Sequence, residues 1–191
     1  MFQLKRHYVI IIVTLLCVLQ GCAALVVGAG VGAASAAHDR RTLGTQVDDK
    51  TAAARLSNAI TKNTKLEKAN INITVFNGVA LLVGQAPEQA MLTEISTTAQ
   101  GVKNLVKVHN QVRIGNVIPA SVSANDLWVE GKVKTALIGD KRIDGLHIKV
   151  VVEDSEVFLM GLVKNNEADI AVDIARNVSG VARVIKVFES L

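Results

Sequence analysis

Cys22 is the residue whose position points most directly to chemistry. It follows Leu19-Gln20-Gly21, which closes an apolar run that begins at Tyr8, and two basic residues precede that run. A basic start, a short apolar run and a small residue before the cut are typical of a secretory signal peptide. A Cys directly after the small residue predicts cleavage before the Cys and acylation of its thiol. We therefore predict a lipoprotein signal peptide over 1–21 and covalent lipid, palmitate included, on Cys22.

The length of the apolar run bears on whether this segment is cleaved. A helix that crosses a bilayer needs about 20 apolar residues, whereas this run ends at Leu19 and small residues follow over 28–37. An uncleaved anchor helix is the alternative that the pattern leaves open. The residue after the Cys is Ala23, whereas Asp there is typical of bacterial lipoproteins kept in the inner membrane. By that resemblance we expect a lipid-anchored protein of the outer membrane that faces the periplasm.

Other residues that could do chemistry are sparse in the predicted mature chain. Its only Cys is Cys22, so no disulfide is available. His38, His109 and His147 have no partners at metal-ligand spacing, and we expect the last two to lie in strands. The acidic pair Glu153-Asp154 is expected to be solvated at a turn. This pattern predicts no catalytic residue and no metal site.

The charge balance bears on the class of partner. Cleavage before Cys22 removes two basic residues and no acid, so the formal net charge falls from +4 to +2. Nucleic-acid-binding domains usually carry a strongly basic face, and we expect no nucleic-acid partner. The sequence predicts a protein that is not an enzyme, with no small-molecule substrate and no cofactor beyond the lipid on Cys22.

From about Asp48 the chain repeats itself. Most of the matching segments are offset by 77 residues, and the last pair is offset by 79, so the second copy is two residues longer before its final strand. Two copies of this length indicate tandem domains. The matching segments are 55–60 with 132–137, 80–84 with 157–161, and 101–108 with 180–187.

Each copy has the pattern of two helices and three strands. Asn77-Gly78 and Asp154-Ser155 each lie between two alternating apolar runs, and Asn-Gly is the strongest short signal for a hairpin. With both helices on one face of its sheet, each copy is predicted to be a two-layer α+β domain of α-β-β-α-β order. The predicted elements are helix 49–62, strands 71–76 and 79–84, helix 87–99 and strand 105–113, then helix 125–138, strands 147–153 and 156–161, helix 164–178 and strand 183–189.

Three residues have predicted structural roles. Gly84 and Gly161 end the second strand of each copy, where close backbone packing is the expected reason for a Gly. Asp126 is expected to cap the first helix of the second domain. The predicted division of the mature chain is a lipidated Cys and flexible tether over 22–47, a first domain over 48–114, a linker over 115–124 and a second domain over 125–191.

The repeated unit resembles a known domain family. The resemblance lies in the hairpin ends Leu82-Val83-Gly84 and Leu159-Met160-Gly161 and in the Gly-Val turns at 101 and 180 that lead into the closing strands. These features resemble the BON domain, and the tandem over 48–191 behind the Cys22 motif is similar to the dual BON-domain outer-membrane lipoproteins of Gram-negative bacteria. The resemblance implies no enzymatic activity. It implies binding of anionic phospholipid, support of outer-membrane integrity, enrichment at the division septum, and association with the outer-membrane protein assembly complex.

Trp128, the single Trp of the chain, is the residue that we most expect to contact lipid. On a helical wheel it lies about 100° from the apolar stripe that contains Val129 and Val133, and that stripe is expected to face the core. A partly exposed Trp beside a Lys suits a membrane interface, where the ring lies among the headgroups and the ammonium meets phosphate. The predicted phospholipid-binding residues are Leu127, Trp128, Gly131, Lys132 and Thr135.

Alternatives to this lipid site remain open. Trp128 could instead pack against the other domain or the linker. Residues 48–114 carry 8 Lys and Arg against 5 Asp and Glu, whereas residues 123–191 carry 9 against 11, so the domain predicted to bind anionic lipid is slightly acidic. The second alternative is therefore an adaptor, whose basic first domain binds a periplasmic protein complex while lipid contact is incidental. A peptidoglycan-binding module is a third class, but its usual motifs are not evident.

Overall fold

The computed structural model describes residues 39–191, and Arg40–Leu191 form one compact unit. Cys22, the predicted signal peptide, His38 and most of the predicted tether lie outside the described residues. The compact unit contains three buried apolar clusters of its own. We therefore expect it to fold without the residues that precede it.

The first domain has the predicted α+β architecture. Its elements are α1 (Leu43–Lys62), β1 (Asn70–Phe76), β2 (Val79–Ala86), α2 (Gln89–Gln100) and β3 (Lys107–Ile114). The sheet order is β1-β2-β3, with β1 antiparallel and β3 parallel to β2. Parallel neighbours need a crossover connection, and α2 supplies it.

The second domain repeats this architecture. Its elements are α3 (Ala120–Gly139), β4 (Lys149–Glu153), β5 (Glu156–Val163), α4 (Asn165–Arg176) and β6 (Arg183–Ser190). The sheet order is β4-β5-β6, again with one antiparallel and one parallel pair. The predicted fold class of two tandem α-β-β-α-β domains is therefore confirmed.

Both first helices begin earlier than the sequence predicted. Residues 43–47, expected to end the tether, are helical, and Thr42 caps α1 by accepting a hydrogen bond from the Thr45 backbone N–H at 3.1 Å. Residues 120–124, expected to end the linker, belong to α3. The first buried side chains of the two helices are those of Asp49 and Asp126. The helical turns before these two residues place no side chain in the core. Their sequence therefore lacks the apolar periodicity that would predict a helix.

Asp126 does not cap its helix, contrary to the prediction. It is buried within α3, and its carboxylate accepts hydrogen bonds from the backbone N–H groups of Asp154 and Ser155 at 2.7 and 2.8 Å. Asp49 accepts the corresponding bonds from Asn77-Gly78, both at 2.7 Å. All four turn residues have positive φ, between 50° and 75°, as the predicted tight hairpin turn requires. The first helix of each domain thus holds its own hairpin through one carboxylate.

The two sheets pack against each other, a contact that was not predicted from the repeat. Phe76, Leu81 and Val83 of the first domain form one buried cluster with Phe158 and Met160 of the second. The other faces of the sheets pack on their own helices in separate clusters. The compact unit therefore has four layers in the order helices, sheet, sheet, helices. Every residue of β2 is buried, because both faces of this central strand are covered.

Gly84 and Gly161 lie inside β2 and β5, not at their ends. Gly84 has a φ of +127°, and an added Cβ would overlap the backbone carbonyl oxygen of Asn70. At Gly161 an added Cβ would lie 2.8 Å from the carbonyl oxygen of His147. Both glycines therefore stand where another backbone segment approaches closely.

Candidate functional site

The outward face of α3 carries large apolar side chains that the described residues do not cover. Leu127 is 72% exposed and Trp128 is 68% exposed. On the opposite side of the helix, Val129, Val133 and Leu137 are fully buried in the core of the second domain. Helix α3 is therefore apolar on two sides. The exposure of Trp128 also means that it does not pack into the first domain or the linker.

Between its large side chains, this face of the helix has small residues and free space above the backbone. Gly131 is exposed, and an added Cβ there would meet no atom within 4 Å. The hydroxyl of Thr135 donates to the Gly131 carbonyl at 2.9 Å, so the helix backbone already satisfies it. Ile138, which is exposed and stands one residue before the helix ends, extends the apolar surface. We call this surface the α3 patch, formed by Leu127, Trp128, Gly131, Thr135 and Ile138.

Lys132 lies at the rim of the α3 patch, one turn after Trp128. It is half-buried, and its Nζ donates a hydrogen bond to the Ser179 carbonyl in the loop between α4 and β6. That loop turns at Gly180, where φ is +97° and an added Cβ would lie 3.5 Å from Lys132 Nζ. The partner in this contact is a carbonyl and not a carboxylate. The structure thus brings the five predicted lipid-binding residues to one region, with Lys132 at its edge.

Several other charges near the α3 patch are neutralised in pairs. Lys134 pairs with Glu130 along the helix. Arg142 donates to Asp140 and lowers the pKa of that carboxyl to about 2, and it also reaches Asp173 at 3.5 Å. The local field is therefore weaker than the number of charged residues implies.

The first domain has no equivalent of the α3 patch. At an offset of 77 residues from the patch, α1 has polar or small residues, which are Lys50, Thr51, Ala54, Asn58 and Thr61. Two apolar residues of α1, Leu43 and Val47, are exposed, but they lie in its first turns. The repeated fold therefore presents an apolar outward face in the middle of α3 and a polar one in the middle of α1.

Two acids that lie close together in the sequence are buried at the junction of the domains. Glu153, predicted to be solvated, is buried and accepts hydrogen bonds from Gln85 Nε2 at 2.6 Å and Asn72 Nδ2 at 2.9 Å. Glu156 is also buried and pairs with Arg113 of the first domain. Their partners are distant in sequence, so no local pattern identified these residues. Two of the acids that make the second domain acidic are thus engaged at the junction.

The segment before α1 contacts both domains. Arg40 donates to both carboxylate oxygens of Glu167, each at 2.8 Å, and this hydrogen bonding is the main cause that lowers the pKa of Glu167 to about 2. Arg41 pairs with Asp49 at 2.6 Å, and its guanidinium lies 3.7 Å from the ring centroid of Phe76. These two arginines therefore link the start of the compact unit to the second and the first domain, respectively.

The two described histidines occupy different settings. His109 lies in β3, as predicted, and partial burial with nearby Lys107 lowers its pKa. His147 lies in a short 3₁₀ turn rather than a strand, because Asp144 caps that turn, and its buried Nδ1 has no hydrogen-bond partner among the described residues. Over residues 39–191, no group of three or more His, Cys, Asp or Glu side chains could hold a metal ion. In the same range, no helix is long and apolar enough to span a bilayer.

The repeated α-β-β-α-β unit defines the class of protein. The BON domain model matches residues 48–116 and 125–190, so the chain belongs to the BON domain family. It is 38% identical over 174 residues to the Haemophilus influenzae protein named "Outer membrane lipoprotein DolP", covering 91% of this chain and 90% of that protein.

Two further relatives extend this similarity. The Actinobacillus pleuropneumoniae protein named "21 kDa hemolysin" is 36% identical over 150 residues, which cover 78% of this chain and 77% of that protein. The Escherichia coli protein named "Osmotically-inducible protein Y" is 27% identical over 145 residues, which cover 74% of this chain and 72% of that protein.

Proposed function

We propose that this chain is a non-enzymatic, periplasm-facing lipoprotein of the outer membrane that binds anionic phospholipid through the α3 patch. The near full-length similarity to a protein named as an outer membrane lipoprotein supports the location. The Leu-Gln-Gly-Cys run ending at Cys22 supports the anchor. The observation that carries the lipid assignment is the exposure of Leu127 and Trp128 on a helix whose opposite side is already buried.

Apolar contact supplies most of the expected binding energy. Moving a large apolar side chain out of water contributes about 1.5–3 kcal/mol, whereas a basic residue near an anionic surface contributes about 1 kcal/mol. Lys132 supplies such a charge at the rim of the α3 patch. Because the net charge of the second domain opposes binding, the soluble domain should bind weakly. The lipid on Cys22 would offset this by raising the effective concentration of the patch at the membrane.

The emission of Trp128 provides the most direct test of lipid binding. Residues 23–191, without the lipid anchor, would be titrated with phosphatidylcholine vesicles that contain or lack phosphatidylglycerol. We expect a blue shift only when phosphatidylglycerol is present, because the exposed indole then enters the membrane interface. A folded protein whose emission does not shift with either vesicle would rule out the α3 patch as the lipid site.

Two matched substitutions separate the patch from the rest of the surface. Leu127→Glu keeps the fluorophore but places a charge on the patch, and it should abolish the blue shift. Thr51→Glu introduces a charge of the same sign on α1, at the position equivalent to Trp128, and should leave the shift unchanged. Equal effects of the two substitutions would indicate that overall charge, not the patch, controls binding.

The anchor is tested through Cys22. We expect the wild-type protein to incorporate labelled palmitate and to fractionate with the outer membrane, and Cys22→Ser to lose both properties. Retention of the full-length Cys22→Ser protein in the inner membrane, with no change from wild type, would favour the uncleaved helix.

Lipid recognition would direct the protein to particular membrane regions. We propose enrichment at the division septum and a contribution to outer-membrane integrity. A fluorescent fusion that carries Trp128→Glu should lose septal enrichment, and its cells should become sensitive to detergent. The alternative function is an adaptor of the outer-membrane protein assembly complex, favoured by the net charge of +3 over residues 48–114. In that case Trp128→Glu should leave localisation intact.

A further inference from the structure

A groove of about 290 Å³ runs along the edge strand β1 of the first domain. Helix α1 forms one wall, and Lys149, at the start of β4, lines the groove from the second domain. The four consecutive residues 73–76 of β1 also line it. Because successive side chains of a strand point to opposite faces, four residues in a row indicate that the groove follows the backbone edge of the strand.

The outer edge of β1 has no strand beside it among the described residues. The sheet order is β1-β2-β3, so β1 pairs with β2 on one side only. An unpaired edge presents backbone N–H and C=O groups that can accept another extended chain. Addition of a strand to such an edge is a recurring way to bind peptides, with flanking side chains giving specificity.

The groove is positively charged. Lys50 and Lys149 are exposed, and neither pairs with a carboxylate in residues 39–191. Its acidic residue, Asp49, pairs with Arg41 and also accepts the two backbone N–H groups of the Asn77-Gly78 turn. The carboxylate of Asp49 is therefore already engaged and does not neutralise the two lysines.

The equivalent groove of the second domain has the opposite charge. It is smaller, about 120 Å³, and it is lined by Asp126, Glu130 and Glu153 among others. At the offset of 77 residues, Leu127 stands in place of Lys50. Two grooves built by the same repeated fold thus differ in sign. The positive charge of the β1 groove is therefore a property of its own side chains and does not follow from the fold.

We infer that the β1 groove binds an extended, acidic segment of a protein partner, which adds as a strand to the edge of β1. Backbone hydrogen bonds would supply the pairing, and Lys50 and Lys149 would select acidic side chains. Because Lys149 belongs to the second domain, the segment would be bound by both domains together. This site is separate from the α3 patch and does not depend on the lipid function.

The probe is a short peptide of alternating Glu and Val residues, added to isotopically labelled residues 23–191 and followed by NMR. We expect the largest amide shifts in Asn70–Phe76 and in the facing turns of α1. The double substitution Lys50→Glu with Lys149→Glu should weaken binding about tenfold or more. Lys68→Glu with Lys103→Glu changes the same net charge at exposed positions away from the groove, and it should have a much smaller effect.

Several outcomes would overturn the inference. Failure of the peptide to bind, or amide shifts outside β1 and α1, would exclude the groove. Equal losses in the two double variants would show non-specific attraction. A peptide methylated on alternate backbone nitrogens that binds as well as the parent would exclude strand addition, as would inorganic phosphate that reproduces the same shifts. The groove variant should keep the lipid-induced blue shift of Trp128, so the two proposals can fail separately.

Discussion

Asp49 and Asp126 show how a single buried side chain can fix a turn. Each lies in the first helix of its domain and accepts the two backbone N–H groups of the hairpin turn. The second turn is Asp154-Ser155, and both residues have positive φ without being Gly. L-residues in this conformation cost about 1–2 kcal/mol each. Hydrogen bonds to a charged carboxylate offset that cost.

This arrangement predicts a large difference between two neighbouring aspartates. Asp49 is buried and bonded, whereas Asp48 is exposed. Asp49→Ala should lower the free energy of unfolding by about 2–4 kcal/mol, because two backbone donors lose a charged acceptor. Asp48→Ala should change it by less than about 0.5 kcal/mol. Urea unfolding of both variants measures the difference, and similar losses would mean that the turn does not depend on the carboxylate.

The Arg40–Glu167 pair predicts a stability change at acid pH. Arg40 lowers the pKa of Glu167 to about 2, whereas an unfolded chain has a Glu pKa of about 4.3. The contribution of the pair is therefore complete above about pH 5 and is lost as the pH falls towards 2. Arg40→Ala should have a lower urea midpoint than wild type near neutral pH. The difference between the two midpoints should disappear as the pH is lowered towards 2. A difference that stays constant down to about pH 2 would exclude this linkage.

The sequence predicted correctly whether each element is a helix or a strand. It was less informative about where the helices begin and about which faces of the sheets are covered. The described helices and strands have the predicted order, since apolar periodicity and the Asn77-Gly78 turn are strong local signals. The extra turns of α1 and α3 were missed because they contribute nothing to the core. The unbroken apolar runs of β2 and β5 did carry the signal of strands buried on both faces. That signal indicates that the second face of each sheet is covered, but it does not identify what covers it.

Glycines in different elements are expected to respond in opposite ways to the same substitution. At Gly84 in β2 an added Cβ overlaps the Asn70 carbonyl, and the φ of +127° strains any L-residue. Gly84→Ala should therefore destabilise the fold by more than about 2 kcal/mol. At Gly131 in α3 the space is open, and Ala should stabilise the helix by about 0.5–1 kcal/mol. Thermal unfolding tests both, and a tolerated Gly84→Ala would refute the steric argument.

In the whole molecule, the two domains behave as halves of one structure. The hairpin turn of each domain meets the last strand of the other, through Asn77 with Glu189 at 2.6 Å and Asp154 with Arg113 at 3.9 Å. The sheets enclose a shared apolar cluster between them. The repeat predicted two similar domains, but their contact depends on residues far apart in sequence. The chain order alone could not predict it.

The shared cluster predicts that the two domains unfold together. Leu81 faces the other sheet, whereas its neighbour Leu82 faces the helices of its own domain. In the wild type, urea titration followed by NMR should give the same midpoint for signals from both domains, because neither sheet is fully buried alone. Leu81→Asp should separate the midpoints while both domains still fold, because it places a charge between the sheets. Leu82→Asp should instead unfold the first domain. Identical midpoints in a folded Leu81→Asp variant would mean that the polar contacts between the domains, and not the shared apolar cluster, couple their unfolding.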